Sequence, residues 1–324
     1  MELFKKPNID FIGLRWYPIG FSVAVMILSV ASIATKGFNY SIEFTGGTLL
    51  QVSFPAGSTV KVDEVRKALE KEGVKSEIQS VQSERPTFIL REQAADDATA
   101  TAFANKTIST LTAAFPASKA TLDRKDVIGP VVGKDLRGRT IWAIVLSLFG
   151  ILVYVAYRFD NPIWSIAGVV ALFHDVIGVA GLFSFLQLPM DLLIVTALLT
   201  IAGYSISDSI VVFDRMREKL RYTRGMDLRE LIDSSINETL SRTIITVLTV
   251  QIVSVTIWLF GGPVLHDFAL AMVVGNLLGT YSSIAVAAPL VYEYHTRSKG
   301  KKASAPPPPE PDSSIKVKEG RRRR

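Results

Sequence analysis

The chain has 324 residues and no cysteine, which excludes disulfides and thiolate metal sites. Apolar residues make up 48% of the chain and the mean hydropathy is +0.31, which favours a membrane protein over a soluble domain. The net charge of +6 does not indicate nucleic-acid binding. Its basic residues lie at the N-terminus, between apolar runs and in the C-terminal tail, as in a protein oriented by a membrane. We expect no cofactor and no bound metal.

A first apolar run covers residues 17–35 and follows a basic N-terminal segment, residues 1–16. A cleaved signal peptide is the competing interpretation, because Ser32-Ile33-Ala34 resembles a small-residue cleavage site. The run is long for a signal core, and a retained span agrees with the rest of the topology. We therefore expect the first transmembrane helix here.

Residues 36–137 predict a soluble domain, because charges of both signs alternate with short apolar patterns. The predicted elements are strand 47–54, helix 62–72, strand 74–82, strand 87–91, helix 98–115 and strand 121–127. Their order, βαββαβ, is typical of a ferredoxin-like α+β domain. A Gly/Pro linker over 127–136 would lead back to the membrane. The domain contains no histidine and no nucleophile motif, so binding or mechanical coupling is its expected role.

Five further apolar runs cover approximately 138–157, 162–186, 191–213, 240–260 and 266–294. With the first run they predict six transmembrane helices, since such long runs lack the alternation of barrel strands. Basic residues at the N-terminus, in a loop over 214–229 and in the tail place both termini in the cytoplasm and residues 36–137 outside. Residues 138–294 would then be a five-helix membrane region. Residues 295–324 would be a disordered basic tail that contacts lipid or a partner, or only reinforces topology.

Asp208 lies inside an apolar run, where a carboxylate needs a partner, a proton or a wet cavity. Arg242 opens the next run and stays charged at any relevant pH. One interpretation is that both residues snorkel to the headgroups at the interface. The interpretation that we favour is a buried titratable pair on a proton or ion path.

Asp175 follows His174 near the middle of the third predicted span, where an ionised carboxylate is costliest. Functional titration and structural hydrogen bonding are both compatible with this position. Asp208, Arg242 and Asp175 are therefore the candidate proton-transport residues. In the last span, Gly275 and Gly279 form a G-x-x-x-G pattern, which permits two helices to pack closely.

Six motifs, spread over nearly the whole chain apart from the tail, are shared with a known family. They are FTGGT at 44–48, IGPVVG at 128–133, ALFHDV at 171–176, GYSISDSIVVFDRMRE at 203–218, TLSRT at 239–243 and GTYSS at 279–283. With these motifs the chain resembles the SecF family, the smaller membrane subunits of bacterial SecDF protein-export complexes in the RND superfamily.

The resemblance implies a multi-pass protein of the bacterial inner membrane, half of an RND-type helix bundle, with no enzyme activity. Its implied partners are SecD, the SecYEG channel, the translocating preprotein and YajC. With SecD it would use the proton-motive force to promote late stages of preprotein translocation. The residues matching Asp208 and Arg242 would take part in proton transport, and residues 36–137 would be the small extracytoplasmic domain.

Three alternatives are open at this stage. An intramembrane aspartyl protease could use Asp175 and Asp208 as paired carboxylates, but those enzymes carry Gly-x-Gly before the second aspartate and this chain does not. An RND exporter of lipids or drugs would carry two six-span halves in one chain. A passive assembly subunit of the same complex would use its charged residues only for structure.

Overall fold

The computed structural model describes residues 7–74, 76–81, 85–92, 96–159, 161–222 and 226–303. In chain order the elements are α1 (Trp16–Lys36), β1 (Asn39–Tyr40), α2 (Ile42–Thr45), β2 (Gly47–Ser53), α3 (Val62–Lys71), β3 (Glu77–Val81), β4 (Thr87–Glu92), α4 (Asp97–Ala114), β5 (Thr121–Ile128), α5 (Pro130–Arg158), α6 (Pro162–Leu186), β6 (Pro189–Met190), α7 (Leu192–Tyr222), α8 (Leu228–Phe260), α9 (Gly262–Ser282), a π turn (Ser283–Ala287) and α10 (Ala288–Ala303).

Six helical spans within the described ranges are long and apolar enough to cross a membrane, which confirms the prediction of a polytopic helical protein. They are α1, α5, α6, α7, α8 and the continuous helix formed by α9, the π turn and α10. In the most apolar stretch of α6, 61% of the residues are buried, against 6% in α5 and 11% in α8. The bundle is therefore built around α6, whereas α5 and α8 present most of their surface to lipid or to another protein.

Between α1 and α5 the chain forms a four-stranded antiparallel sheet in the order β3-β4-β2-β5. The strands and helices predicted for this region occur in the predicted order, with ends that differ by a few residues; residue 82 lies outside the described ranges. Helix α3 buries Val65 and Leu69, one turn apart, against the sheet residues Leu50 and Leu90. This separate apolar core lets the domain pack independently of the membrane helices.

Strand β1 pairs in parallel with β6, a contact that the sequence pattern did not predict. Asn39 lies opposite Pro189 and Tyr40 opposite Met190, and the Ser41 N–H donates to the Met190 carbonyl at 3.0 Å. The segment that leaves α1 for the α/β domain is therefore joined to the segment that enters α7.

Three boundaries differ from the sequence-based expectation. Helix α5 begins at Pro130, so most of the expected linker is helical, because a proline at the first helical position is already in helical geometry. Most of the expected loop over 214–229 continues α7 and α8, where pairs such as Arg215–Glu218 at 2.5 Å support an exposed helix. Residues 295–303 continue α10 rather than belonging to a disordered tail, while 304–324 lie outside the described ranges.

Candidate functional site

Close packing between α7 and α9 brings the polar residues of the two helices together. A Cβ atom at Gly275 would lie 2.2 Å from Cδ1 of Ile201, and one at Gly279 would lie 3.4 Å from Cβ of Ser205. Glycine at these two positions therefore allows α9 to approach the face of α7 on which Asp208 lies. The G-x-x-x-G pattern thus acts as a packing motif that positions the site.

The Asp208 carboxylate lies about 24 Å along α7, counted at 1.5 Å per residue from Leu192. Its Oδ1 accepts a hydrogen bond from Thr243 Oγ1 at 2.8 Å, and its Oδ2 accepts one from Ser283 Oγ at 2.5 Å. The residue is half-buried. Both carboxylate oxygens therefore have hydroxyl donors, one from α8 and one from the π turn.

Arg242 is exposed on α8, next to Thr243. In the described part of the chain it forms no ion pair with Asp208, but the two residues line the same cavity. The structure therefore brings the predicted cation to the predicted carboxylate without closing a salt bridge. The direct partner of Asp208 on α8 is the adjacent Thr243.

The cavity beside Asp208 has a volume of about 140 Å³ and lies between α7, α8 and α9. Its polar lining includes Tyr204, Ser207, Asn276 and Thr280. Tyr204 is 45% exposed on the outer surface of α7. The cavity is thus a largely apolar space with several polar groups on its wall, at an edge of the bundle, and it is large enough to hold water.

Asp175 is completely buried on α6 and lies beside a second set of donors. Its Oδ1 is 2.9 Å from Nδ1 of His174, and its Oδ2 accepts hydrogen bonds of 2.6 Å from Ser205 and from Ser282. Asp175 is not among the residues that line the Asp208 cavity. The two carboxylates therefore do not both line this cavity, although paired carboxylates of a protease would share one site.

The two carboxylates are linked through adjacent serines where α9 passes into the π turn. Ser282 donates to Asp175 and Ser283 donates to Asp208. A π turn within an α-helix is rare and frequently marks a functional site. Asp208, Asp175 and the serine pair form one polar layer across the otherwise apolar interior.

Sequence reasoning selected the charged residues of this layer but missed Thr243, Ser282 and Ser283. All three belong to motifs that carried the family resemblance, TLSRT and GTYSS. A hydroxyl in a membrane helix often bonds to its own backbone, so its presence alone does not show that it reaches a carboxylate on another helix.

A second acidic group lies at the other end of α7. Asp191 Oδ1 accepts a hydrogen bond from the Ile194 N–H at 2.8 Å, and Glu43 Oε2 accepts one from the Leu192 N–H at 2.7 Å. Burial raises the pKa of Asp191 to about 6; the bond to Ile194 opposes this rise, and nearby Glu43 and Asp267 add to it. This junction of Asp191 and Glu43 lies where the α/β domain between α1 and α5 meets the membrane helices.

Comparison with known proteins identifies relatives along most of the chain. Residues 107–297 match the family model described as "Protein export membrane protein SecD/SecF, C-terminal", and residues 31–54 match "SecD/SecF GG Motif". Protein translocase subunit SecF of Thermodesulfovibrio yellowstonii is 42% identical over 90% of this chain and 96% of its own length. The SecF subunit of Endomicrobium trichonymphae is 37% identical over 92% of this chain and 95% of its own.

Among solved structures, the crystal structure of SecDF from Thermus thermophilus superposes with a TM-score of 0.78 at 38% identity. The match covers 90% of this chain and 39% of the SecDF chain. Fold and relatives together define a multi-pass membrane protein of the protein-translocation class. The chain belongs to the SecF family of protein translocase subunits.

Proposed function

We propose that this chain works with SecD to use the proton-motive force in late stages of preprotein translocation through the SecYEG channel, with YajC as a further partner. The observation that carries the proposal is the Asp208 carboxylate, which lies within a membrane span and is bonded to Thr243 and Ser283. An ionisable group at such a position is energetically costly, so its presence indicates a functional site.

Asp208 is suited to gain and release a proton. The hydroxyls of Thr243 and Ser283 can each donate or accept, so they can bond to either the charged or the protonated carboxyl. Arg242 adds a fixed positive charge on the same cavity. We infer that protons reach Asp208 through water in this cavity and that Arg242 biases its protonation state.

The energy available matches the proposed task. One charge that crosses a potential of 100 mV provides about 2.3 kcal/mol. A typical coupling free energy between two sites is roughly 1–3 kcal/mol. A few protons per cycle would therefore suffice to drive relative movement of two membrane halves and of the external domain.

SecD is the proposed partner because the SecDF relative of Thermus thermophilus is one chain, of which a region covering 39% matches this protein. The exposure of Tyr204 and Arg242 beside the cavity supports a second helix bundle as its outer wall. A polar surface of this kind in a membrane is expected to face protein or water rather than lipid.

We also propose that residues 36–137 are a ferredoxin-like domain outside the membrane and that both termini are cytoplasmic. The strand order β3-β4-β2-β5, with α3 and α4 packed near each other, supports the first part. The distribution of lysine and arginine supports the second. The basic tail would contact anionic lipid at the cytoplasmic surface.

The test is Asp208→Asn in proteoliposomes that contain the full chain with SecD and the Sec channel. Asparagine keeps the shape and both hydrogen-bonding partners but cannot ionise. We expect assembly to be unchanged and the proton-motive stimulation of preprotein translocation to be lost. Asp214→Asn is the matched control, because Asp214 lies on the same helix but pairs with Arg158 away from the cavity.

Wild-type stimulation in an assembled Asp208→Asn complex would show that the Asp208–Arg242 pair is structural and that the proton path runs through Asp175 or through the partner subunit alone. Equal losses in the Asp208→Asn and Asp214→Asn complexes would indicate a general effect of removing an acidic residue from α7, and would also count against the proposal.

A further inference from the structure

Asp175 is a buried titratable group that the proposed proton path through Asp208 does not use. It has three hydrogen-bond partners, His174, Ser205 and Ser282. We propose that Asp175 is a second proton-holding carboxylate and that Ser282 and Ser283 couple its protonation state to that of Asp208. This inference rests on the proposed proton uptake by Asp208 and adds a positioning role for the serine pair.

The two serines have alternative acceptors, which makes them suitable as a switch. Ser283 Oγ lies 2.5 Å from Asp208 Oδ2 and 3.0 Å from the Thr280 carbonyl. Ser282 Oγ lies 2.6 Å from Asp175 Oδ2 and 3.1 Å from the Gly279 carbonyl. A hydroxyl has a single hydrogen, so at any moment each serine donates its hydrogen bond either to its carboxylate or to the carbonyl of its own helix.

Protonation of a carboxylate changes which acceptor its serine uses. When Asp208 takes a proton from water in the cavity, its new O–H needs an acceptor, and Ser283 Oγ is within reach. The Ser283 hydrogen then turns to the Thr280 carbonyl, and no other bond forms or breaks. The same exchange applies to Asp175, Ser282 and the Gly279 carbonyl.

Both exchanges act on one turn of one helix. The carbonyls of Gly279 and Thr280 belong to the last turn of α9, directly before the π turn. A serine that bonds to a carbonyl in the preceding turn competes with the backbone ladder and bends the helix. Because Ser282 and Ser283 are consecutive, the backbone change made by one alters the geometry available to the other.

The surroundings of Asp175 are suited to a proton that is held rather than passed to bulk water. The titratable groups around it include His174 on α6, which bonds to it, Asp208 on α7, with which it interacts electrostatically, and Tyr281 on α9, whose ring lies 6.3 Å from the His174 ring. His174 Nε2 is buried with no hydrogen-bond partner in the part of the chain that the structure describes. His174 thus places one unused ring nitrogen of the described structure beside the buried carboxyl to which its Nδ1 is bonded.

The test follows the carboxyl bands of this chain by infrared difference spectroscopy. The full chain, labelled with ¹³C-aspartate, is reconstituted with unlabelled SecD, so that the carboxyls of the partner do not overlap. The Asp208 band is the one that Asp208→Asn removes, and its midpoint pH is measured in each variant. In the wild-type complex we expect two buried carboxyl bands that titrate, the second of which is removed by Asp175→Asn.

If the serines couple the two groups, Ser282→Ala and Asp175→Asn should each shift the midpoint of the Asp208 band by about 1 pH unit or more, the size of interaction that makes two titrations interdependent. Ser184→Ala is the matched control. Ser184 is an equally buried serine on α6 whose hydroxyl bonds to Ser32 and to the Gly37 carbonyl, not to a carboxylate. Its removal should leave the midpoint unchanged.

The outcomes separate this inference from the proposed function. Absence of an Asp208 band that titrates would overturn both. A titrating Asp208 band with the same midpoint in the Ser282→Ala and Asp175→Asn complexes would overturn the coupling and leave the proposed function standing. A wild-type complex in which only the Asp208 band titrates would also overturn the proposed coupling, whether or not the variants assemble.

Discussion

Glu43 Oε2 accepts a hydrogen bond of 2.7 Å from the backbone N–H of Leu192, the first residue of the helix that carries Asp208. Glu43 lies on α2, in the turn that leads into the α/β domain between α1 and α5, 149 positions earlier in the chain. Together with the β1–β6 pairing, this bond connects that domain to the N-terminal end of α7. A displacement of α7 would therefore reach the α/β domain through a direct contact.

Asp191 should make this junction sensitive to pH. Burial raises its pKa from 3.8 to about 6, so the folded state binds the proton more tightly than the unfolded chain. The stability that this provides is fully present below pH 4 and is lost as the pH rises through about 6. Asp191→Asn keeps the acceptor for Ile194 and should be more stable than the wild type at pH 7.5 by about 2–3 kcal/mol, at 1.36 kcal/mol per pKa unit.

Thermal unfolding of the full chain in detergent at pH 4.5 and 7.5 measures this difference. Asp63→Asn is the control, because Asp63 is 76% exposed on α3 and its neutralisation changes no buried group. A fall in stability between the two pH values that is as large in Asp191→Asn as in the wild type would contradict the prediction.

Two glycines of α5 should respond in opposite ways to alanine. A Cβ atom at Gly133 would lie 2.9 Å from the backbone nitrogen of Gly46, in the turn before β2, whereas one at Gly138 would meet nothing within 4 Å. We expect Gly133→Ala to destabilise the protein by about 1–3 kcal/mol through overpacking. Gly138→Ala should stabilise it by up to about 1 kcal/mol through helix propensity.

The same unfolding measurement on both alanine variants checks the pair. Gly46 has a φ of 75°, and its own Cβ would lie 2.9 Å from Cα of Pro130, so the turn has little freedom to move away. Equal stability of Gly133→Ala and Gly138→Ala would show that the contact between this turn and α5 is looser than the structure describes.

Arg242→Lys should cause partial loss of proton-motive stimulation. Lysine keeps the positive charge on the cavity but lacks the planar fork of the guanidinium group. We expect a reduction smaller than that of Asp208→Asn in the same translocation assay, and a complete loss in Arg242→Ala. If Arg242→Ala retains full stimulation, the arginine does not bias the Asp208 proton.

Labelling of introduced cysteines tests the orientation, because the natural chain has none. Ala117 is exposed in the α/β domain between α1 and α5, and Tyr222 is 82% exposed at the end of α7. In sealed cells, a membrane-impermeant thiol reagent should label Ala117→Cys but not Tyr222→Cys, and inverted vesicles should reverse the result. Labelling of both positions from one side would refute the six-span orientation.

The sequence by itself determined the six spans and the order of elements in the domain between α1 and α5, and it singled out Asp208 as a candidate site residue. These properties depend on local signals: length and hydropathy define a span, alternation defines a strand, and a carboxylate in an apolar run is visible without its neighbours. The six family motifs identified the class of protein to which the chain belongs. Helix ends were less certain, because the exposed charged turns of α7 and α8 carry no apolar signal beyond the membrane.

Only the tertiary structure decided which groups Asp208 and Asp175 contact. The hydroxyls of Thr243 and Ser283 lie 35 and 75 positions from Asp208, and Ser282 lies 107 positions from Asp175. Such contacts depend on how helices pack, and here the approach at Gly275 and Gly279 sets the rotation of α9 against α7. Side chains that look alike in sequence acquire different partners because hydrogen bonds act over about 3 Å, a distance that only the folded chain fixes.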